Sequence, residues 1–181
     1  MNTVQPLRDL ETVSELRRRL SERDPKYCIM FTIGVNTGLR ISDLRGLRAC
    51  DVNGTHISLR EQKTGKKKRV LINDQLRVEI DRYMDDKNIS GNGLLFPGRI
   101  SGQPVSRVQA YRVISSAARE IGLAEVGTHT MRKTFGYWHY QRYKDVAILQ
   151  DIFNHSSPAI TLRYIGITDD VKDATLNEFF I

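Results

Sequence analysis

The sequence predicts a mainly helical α+β fold with a small three-stranded antiparallel sheet. Apolar residues recur at helical spacing through most of the 181-residue chain, which is typical of helices that bury one face. Only three short segments, 56–59, 69–72 and 94–96, have the character of strands. No internal repeat, low-complexity tract or long linker interrupts the chain, so we expect residues 1–181 to form a single domain.

The charge balance is basic and indicates a polyanionic partner. Twenty-eight lysines and arginines stand against 21 aspartates and glutamates, which gives a formal net charge of +7. A basic surface binds DNA by displacing the counterions that surround the phosphates, so double-stranded DNA is the expected partner. Charge alone does not separate an enzyme from a binding module.

Cysteine content and hydropathy argue against several other classes of protein. Cys28 and Cys50 are the only cysteines, and neither has Cys or His partners at zinc-ligand spacing. We expect two buried free thiols, with a single disulfide as the alternative, and no metal and no cofactor. The chain has no signal-peptide pattern and no apolar run of about 20 residues. We therefore expect a cytoplasmic, nucleoid-associated protein without a membrane segment.

The N-terminal part of the chain predicts three helical segments. Apolar residues after Leu10 recur at helical spacing, and Asp24-Pro25 supplies a cap and a first-turn proline for a second helix. Asn36-Thr37-Gly38 is suited to ending that helix, which places Arg40 just beyond a helix terminus. The third segment covers residues 42–47.

The middle of the chain predicts a hairpin followed by two helices. The strands over 56–59 and 69–72 are joined by the polar segment 61–66. Asn73 and Ser106 each precede an amphipathic pattern and are good N-cap residues. We expect both of these helices to contribute one apolar face to the core.

The last third of the chain predicts three short helices with corners between them. One helix carries His129 and Arg132 one turn apart, and the next ends at Asn154, a residue that tolerates the left-handed conformation. Ser157-Pro158 then begins a helix that carries Tyr164.

Six polar residues at these helix ends, corners and turns suggest phosphoryl-transfer chemistry: Arg40, Lys63, His129, Arg132, His155 and Tyr164. Guanidiniums suit the non-bridging oxygens of a phosphodiester, because each donates two parallel hydrogen bonds and stays charged. A tyrosine hydroxyl beside such cations is a candidate nucleophile, since positive charge lowers its pKa. A lysine can protonate the leaving oxygen. The arginines would supply the charge that a metal supplies elsewhere.

The same residues lie in motifs that resemble those of the tyrosine recombinases, the phage integrase family. Four segments carry the resemblance: Asn36-Thr37-Gly38-Leu39-Arg40-Ile41-Ser42-Asp43-Leu44, Lys63-Thr64-Gly65-Lys66, His129-Thr130-Met131-Arg132-Lys133-Thr134-Phe135, and Asn154-His155-Ser156-Ser157-Pro158 with Thr161 and Tyr164. All six catalytic positions are filled in the family's order, over roughly residues 31–164. The resemblance implies the catalytic-domain fold of this family.

The resemblance also implies a role for each residue. The two arginines hold the scissile phosphate, and Lys63 protonates the leaving 5′ oxygen. His129 assists proton transfer, and His155 donates to a phosphate oxygen. Tyr164 attacks to form a 3′-phosphotyrosyl link, and a different 5′ hydroxyl then exchanges strands. The implied assembly is a homo-tetramer on two synapsed duplexes, from a monomer or weak dimer in solution, with possible DNA-bending or excisionase partners.

Three departures from the family pattern affect this expectation. Asn154 replaces the usual Gly, which its tolerance of left-handed geometry permits. Asp43 replaces a commoner Glu and is the carboxylate expected to buttress Arg40. About 40 residues precede Arg40, so the core-binding and arm-binding domains of the family are expected to be absent from residues 1–181.

Two other functions remain open from the sequence. A type IB topoisomerase shares this chemistry and relaxes supercoils, whereas a recombinase integrates, excises or inverts DNA. A non-catalytic DNA-binding accessory module is the third possibility. The products of the reaction distinguish them.

The segment after Tyr164 carries an apolar pattern that ends in Phe179 and Phe180. Gly166 provides a joint just beyond the tyrosine. Because the segment is too apolar to lie free in water, we expect it to dock in a hydrophobic groove and to restrain Tyr164.

Overall fold

A helical body carries one β-hairpin in the computed structural model, which describes residues 4–180. The elements are α1 (Leu10–Arg23), α2 (Pro25–Thr37), α3 (Ile41–Leu44), β1 (His56–Arg60), β2 (Lys67–Leu71), α4 (Asp74–Asp86), α5 (Arg107–Glu120), α6 (Thr130–Tyr143), α7 (Val146–Phe153), α8 (Pro158–Tyr164) and α9 (Ile167–Asn177), with a 3-10 helix at Ala49–Val52. The predicted class, mainly helical α+β, is confirmed.

The predicted caps start the helices where the sequence places them. Asn73, Ser106 and Ser157 each accept a hydrogen bond from a backbone N–H in the first turn of α4, α5 and α8. Such a bond satisfies one of the free donors at a helix start. Gly38 ends α2 with φ at 63°, in the left-handed region that glycine adopts without strain.

Helix α2 lies at the centre of the core. Met30, Phe31 and Ile33 are fully buried, and the helix packs against α1, α4, α5 and α6. A helix that is apolar on most sides is expected at such a position. Its C-terminal end therefore presents Arg40 from a rigid support.

The predicted third strand is wrong. The sheet has two strands, paired antiparallel with His56 opposite Leu71. Leu94 forms only an isolated bridge with Arg48, because the segment is bounded by Gly93 and Pro97. Its neighbours Leu95 and Phe96 are fully buried in the core. A short apolar run of this kind has no alternation that would separate a strand from a buried connection.

Several predicted boundaries shift by a few residues. The segment expected at 42–47 is a single helical turn, Ile41–Leu44, and the 3-10 helix at Ala49–Val52 was not expected. Helix α6 begins at Thr130, so His129 is its N-cap residue. The hairpin strands end at Arg60 and Leu71.

The C-terminal segment was expected to dock in a hydrophobic groove, and the structure, which describes it as far as residue 180, does not show this. Helix α9 follows Gly166, whose φ of 86° makes the predicted joint, but none of its side chains is buried. Phe180 is 97% exposed. The helix is tied to the rest of the chain at its first turn, where Arg8 pairs with Asp170 at 2.7 Å.

Among the helices of residues 4–180, none combines the length and the apolar character that a bilayer crossing requires.

Candidate active site

Arg40 is presented by a tight turn at the end of α2. The turn residue Gly38 lies so close to α6 that an added Cβ would sit 2.5 Å from Cδ1 of Phe135. Arg40 itself is extended, with φ and ψ of −72° and 147°, and precedes the single turn of α3. A larger residue at position 38 would push this turn away from α6.

Arg132 connects the ends of two helices. It is 3% exposed, and it donates hydrogen bonds to the backbone carbonyls of Gly38 and, at 3.0 Å, of Phe153. Its guanidinium carbon lies 4.3 Å from the centroid of the Phe153 ring. Burial lowers the pKa of Arg132 to about 10, so the side chain stays charged at neutral pH. Its charge is therefore fixed in place between α2 and α7.

His155 occupies the corner after α7. Asn154 has φ at 54°, which confirms the left-handed conformation expected of it. The imidazole Nδ1 lies 3.1 Å from the Thr161 hydroxyl. Burial, followed by the charges of Arg132 and Arg40, lowers the pKa of His155. The ring is therefore neutral at pH 7 and donates from one nitrogen.

Tyr164 ends α8 and packs within an aromatic group. Its ring centroid lies 5.1 Å from that of His155 and 5.5 Å from that of Phe153, and the Lys133 ammonium lies 5.4 Å from it. Burial raises the pKa of the Tyr164 hydroxyl, although Arg132 and Arg40 oppose the shift. The arginines lower this pKa as the sequence predicts, but without DNA the net shift is upward, because desolvation of the phenolate outweighs their charges.

The hairpin brings a carboxylate and an ammonium group close to Arg40. Oε1 of Glu61 lies 2.8 Å from Nη1 of Arg40 and 3.6 Å from Nζ of Lys68. Lys68 also donates to the carbonyl of Ile152 at 2.8 Å. Burial, followed by the charge of Arg132, lowers the pKa of Lys68. These contacts join the hairpin to the end of α7.

Asp43 does not have the role that the sequence predicts. Arg40 pairs with Glu61, while Oδ1 of Asp43 accepts a hydrogen bond from the backbone N–H of Gln62 at 2.9 Å. Asp43 is one methylene shorter than the Glu common at this position, and it reaches the hairpin backbone instead of the guanidinium. The carboxylate on Arg40 therefore comes from the hairpin.

The structure brings some of the six predicted residues together and leaves others outside. Arg40, Arg132, His155 and Tyr164 form one cluster, in which both arginines act on the pKa values of the other two residues. His129 lies at the edge, where desolvation and the charge of Arg107 lower its pKa.

Lys63 stands apart from the cluster. It is exposed in the turn between β1 and β2, and no ion pair joins it to another residue in the described part of the chain.

Sequence analysis missed Glu61 and Lys68. The alternation of the strands carries a signal for both residues. Side chains two apart on a strand share a face, and Glu61 follows Ile57 and Leu59 at this spacing while Val70 follows Lys68. Residues 60–69 include four lysines and two arginines, so the segment has the composition of a solvated turn, which masks the alternation.

Comparison with known sequences gives one family. The profile of the Phage integrase family matches residues 10–170. "Probable integrase/recombinase YoeC" of Bacillus subtilis (strain 168) is 46% identical over 180 residues, which are 99% of this chain and 98% of that protein. Type 1 fimbriae regulatory protein FimE of Escherichia coli (strain K12) is 29% identical over 145 residues, covering 76% of this chain and 72% of FimE.

Solved structures of the same kind share the fold. XerA recombinase superimposes with a TM-score of 0.76 at 20% identity, over 97% of this chain and 65% of the XerA chain. The catalytic domain of bacteriophage HP1 integrase gives 0.68 at 22% identity, over 89% of this chain and 86% of that domain. The predicted catalytic-domain fold is thereby confirmed.

Proposed function

The chain belongs to the phage integrase family, and we propose on that premise that it is a site-specific tyrosine recombinase acting through a covalent bond to Tyr164. One observation carries the assignment of the nucleophile: Tyr164 lies in the same cluster as Arg132 and Arg40, and the charges of both arginines favour its anionic form. A tyrosine hydroxyl beside such cations is suited to attacking a phosphodiester.

The proposed step exchanges one phosphoester bond for another. Oη of Tyr164 attacks the scissile phosphorus and passes its proton to a base, a role that the resemblance gives to His129. The bond from phosphorus to the 5′ oxygen breaks, and that oxygen takes up a proton from the general acid. Arg40 and Arg132 stabilise the pentacoordinate transition state. Because Arg132 is already anchored to two carbonyls, its charge needs little reorganisation during the reaction.

Proton delivery to the leaving oxygen is assigned to Lys63, by resemblance. The exposed position of this residue on the hairpin turn requires the turn to close on the DNA before the proton is transferred. Lys68 is a second candidate for the general acid on the hairpin, since its ammonium already lies beside the Glu61 carboxylate that pairs with Arg40.

A duplex with sulfur in place of the leaving 5′ oxygen tests this assignment. A thiolate leaves without protonation, so Lys63→Ala should slow cleavage of the ordinary duplex by about 100-fold and should cleave the sulfur-containing duplex at nearly the wild-type rate. Lys68→Ala is the matched comparison on the same hairpin. Rescue of Lys68→Ala and not of Lys63→Ala would assign the proton to Lys68.

Double-stranded DNA is the proposed substrate. Exposed cations line the hairpin beside the site, at positions 60, 63, 66, 67 and 69, and such a surface is suited to a phosphate backbone. A related fold, XerH recombinase, has been solved bound to its difH substrate. We retain as proposals the single catalytic domain over residues 1–181, the homo-tetramer on synapsed DNA and the accessory partners.

Plasmid products separate recombination from the alternatives. A supercoiled plasmid that carries two copies of the DNA flanking the gene for this chain should yield excised or inverted circles. A type IB topoisomerase would give relaxed topoisomers of unchanged sequence, and a non-catalytic module would leave the plasmid intact. The family match favours the first outcome.

A further inference from the structure

We propose that Glu61 is a positioning residue for Arg40 and couples the orientation of this arginine to the closure of the hairpin. The proposal rests on the proposed function, because it assigns Arg40 to the scissile phosphate. Glu61 does not touch the reacting atoms in this account; it acts through the arginine.

The contacts of the carboxylate engage both of its oxygens. Oε1 lies 2.8 Å from Arg40 and 3.6 Å from Lys68, and Oε2 accepts a hydrogen bond from the Thr64 hydroxyl at 2.6 Å. The side chain is only 7% exposed. Although burial opposes the shift, Thr64, Arg40 and Lys68 lower the pKa of Glu61, so the carboxylate is charged at neutral pH.

The backbone of the same residue closes the turn. The N–H of Glu61 donates to the carbonyl of Lys66 at 2.9 Å, and the carbonyl of Glu61 accepts from the N–H of Gly65 at 2.8 Å. The residue that holds Arg40 thus also fixes the turn on which Lys63 lies. The proposed phosphate ligand and the proposed acid are linked through this one residue.

A second tether keeps the turn in register with the arginine. Asp43 follows Arg40 by three residues and accepts from the backbone N–H of Gln62, next to Glu61, at 2.9 Å. Side-chain contacts therefore hold the hairpin at Arg40 and again at Asp43. Displacement of the hairpin would disturb the guanidinium.

The geometry suits an orienting role better than competition with the substrate. A guanidinium has five N–H donors, and Glu61 engages the Nη1 group of Arg40, which leaves donors for a phosphate. Lys68 adds positive charge beside the carboxylate and offsets its repulsion of an incoming anion. Fixing a side chain by its neighbours before substrate binds is how binding sites keep their geometry.

Glu61→Gln tests the proposal, because it keeps the shape of the side chain and removes its charge. In single-turnover cleavage of a nicked duplex, the rate at saturating protein should fall by about tenfold or more, as expected when a reacting group is misplaced. Affinity for the uncleaved duplex should remain within about twofold of the wild-type value, since the positioned guanidinium of Arg40 acts mainly in the transition state. Glu79→Gln, which removes a partly buried ion pair with Arg17 away from the site, is the matched control and should leave the rate unchanged.

A double-mutant cycle separates positioning from a purely structural role. If Glu61 acts through Arg40, Glu61→Gln should cost less than about twofold when added to Arg40→Ala, because the group it positions is gone. Equal costs in both backgrounds, equal losses of binding and cleavage, or faster cleavage by Glu61→Gln would each overturn the proposal. Wild-type protein assayed on the same nicked duplex tests the proposed function separately. If the proposed function is wrong, the wild-type protein forms no covalent adduct, whereas failure of the positioning role alone leaves that adduct in place.

Discussion

Tyr164→Phe is expected to abolish strand cleavage, with no covalent adduct on a nicked duplex under conditions where the wild-type protein accumulates it. The ring would still pack against Phe153 and His155, so the fold and duplex binding should be retained. Only the oxygen that forms the bond to phosphorus is lost. Denaturing gel electrophoresis of the labelled duplex measures the effect.

Tyr143→Phe is the matched control for this variant. Tyr143 is 58% exposed near the end of α6, and its loss should leave the yield of adduct unchanged. Adduct formation by Tyr164→Phe at the wild-type rate would show that the nucleophile lies elsewhere.

Loss of either arginine is expected to reduce cleavage by at least about 100-fold while changing duplex affinity much less. Arg40→Ala is the cleaner variant, because Arg132→Ala also removes the donor to the carbonyls of Gly38 and Phe153. An unsatisfied buried carbonyl costs about 1–3 kcal/mol. Rates of single-turnover cleavage and titrations of duplex binding should be measured together with thermal unfolding.

Arg23→Ala provides the control, since Arg23 pairs with Glu120 at the protein surface and away from the site. It should cleave normally. Equal losses of affinity and cleavage in Arg40→Ala would make this arginine a simple DNA anchor and would remove its role in the transition state.

Local signals in the sequence are sufficient for most of the scaffold. Asn73, Ser106 and Ser157 begin their helices where the capping pattern predicts, and Gly38 and Asn154 end theirs in the left-handed conformation. Each cap depends on a side chain and a backbone N–H within three residues of each other, and each helix end depends on the conformation of a single residue. The positions of four clustered site residues follow, because they stand at these ends and corners.

Contacts between segments far apart in the chain could not be predicted from these local signals. The ion pair of Arg40 joins residues 21 positions apart, and its existence depends on how the hairpin packs beside α3. The raised pKa of Tyr164 depends on burial by α7 and α8, and residue types alone do not specify that burial. The prediction of a third strand was wrong for a related reason, since tertiary packing decides whether a short apolar run joins a sheet.

The position and chemistry of the protein–DNA bond identify both the nucleophile and the reaction. Wild-type protein should be incubated with a nicked duplex in the presence of EDTA, and the trapped complex digested with protease and nuclease before mass spectrometry. The account predicts that the peptide containing Tyr164 carries a nucleotide through its phenolic oxygen and the 3′ phosphate, with a free 5′ hydroxyl on the released strand. A nucleotide on another residue, a 5′ linkage, or an adduct that forms only with added magnesium would contradict it.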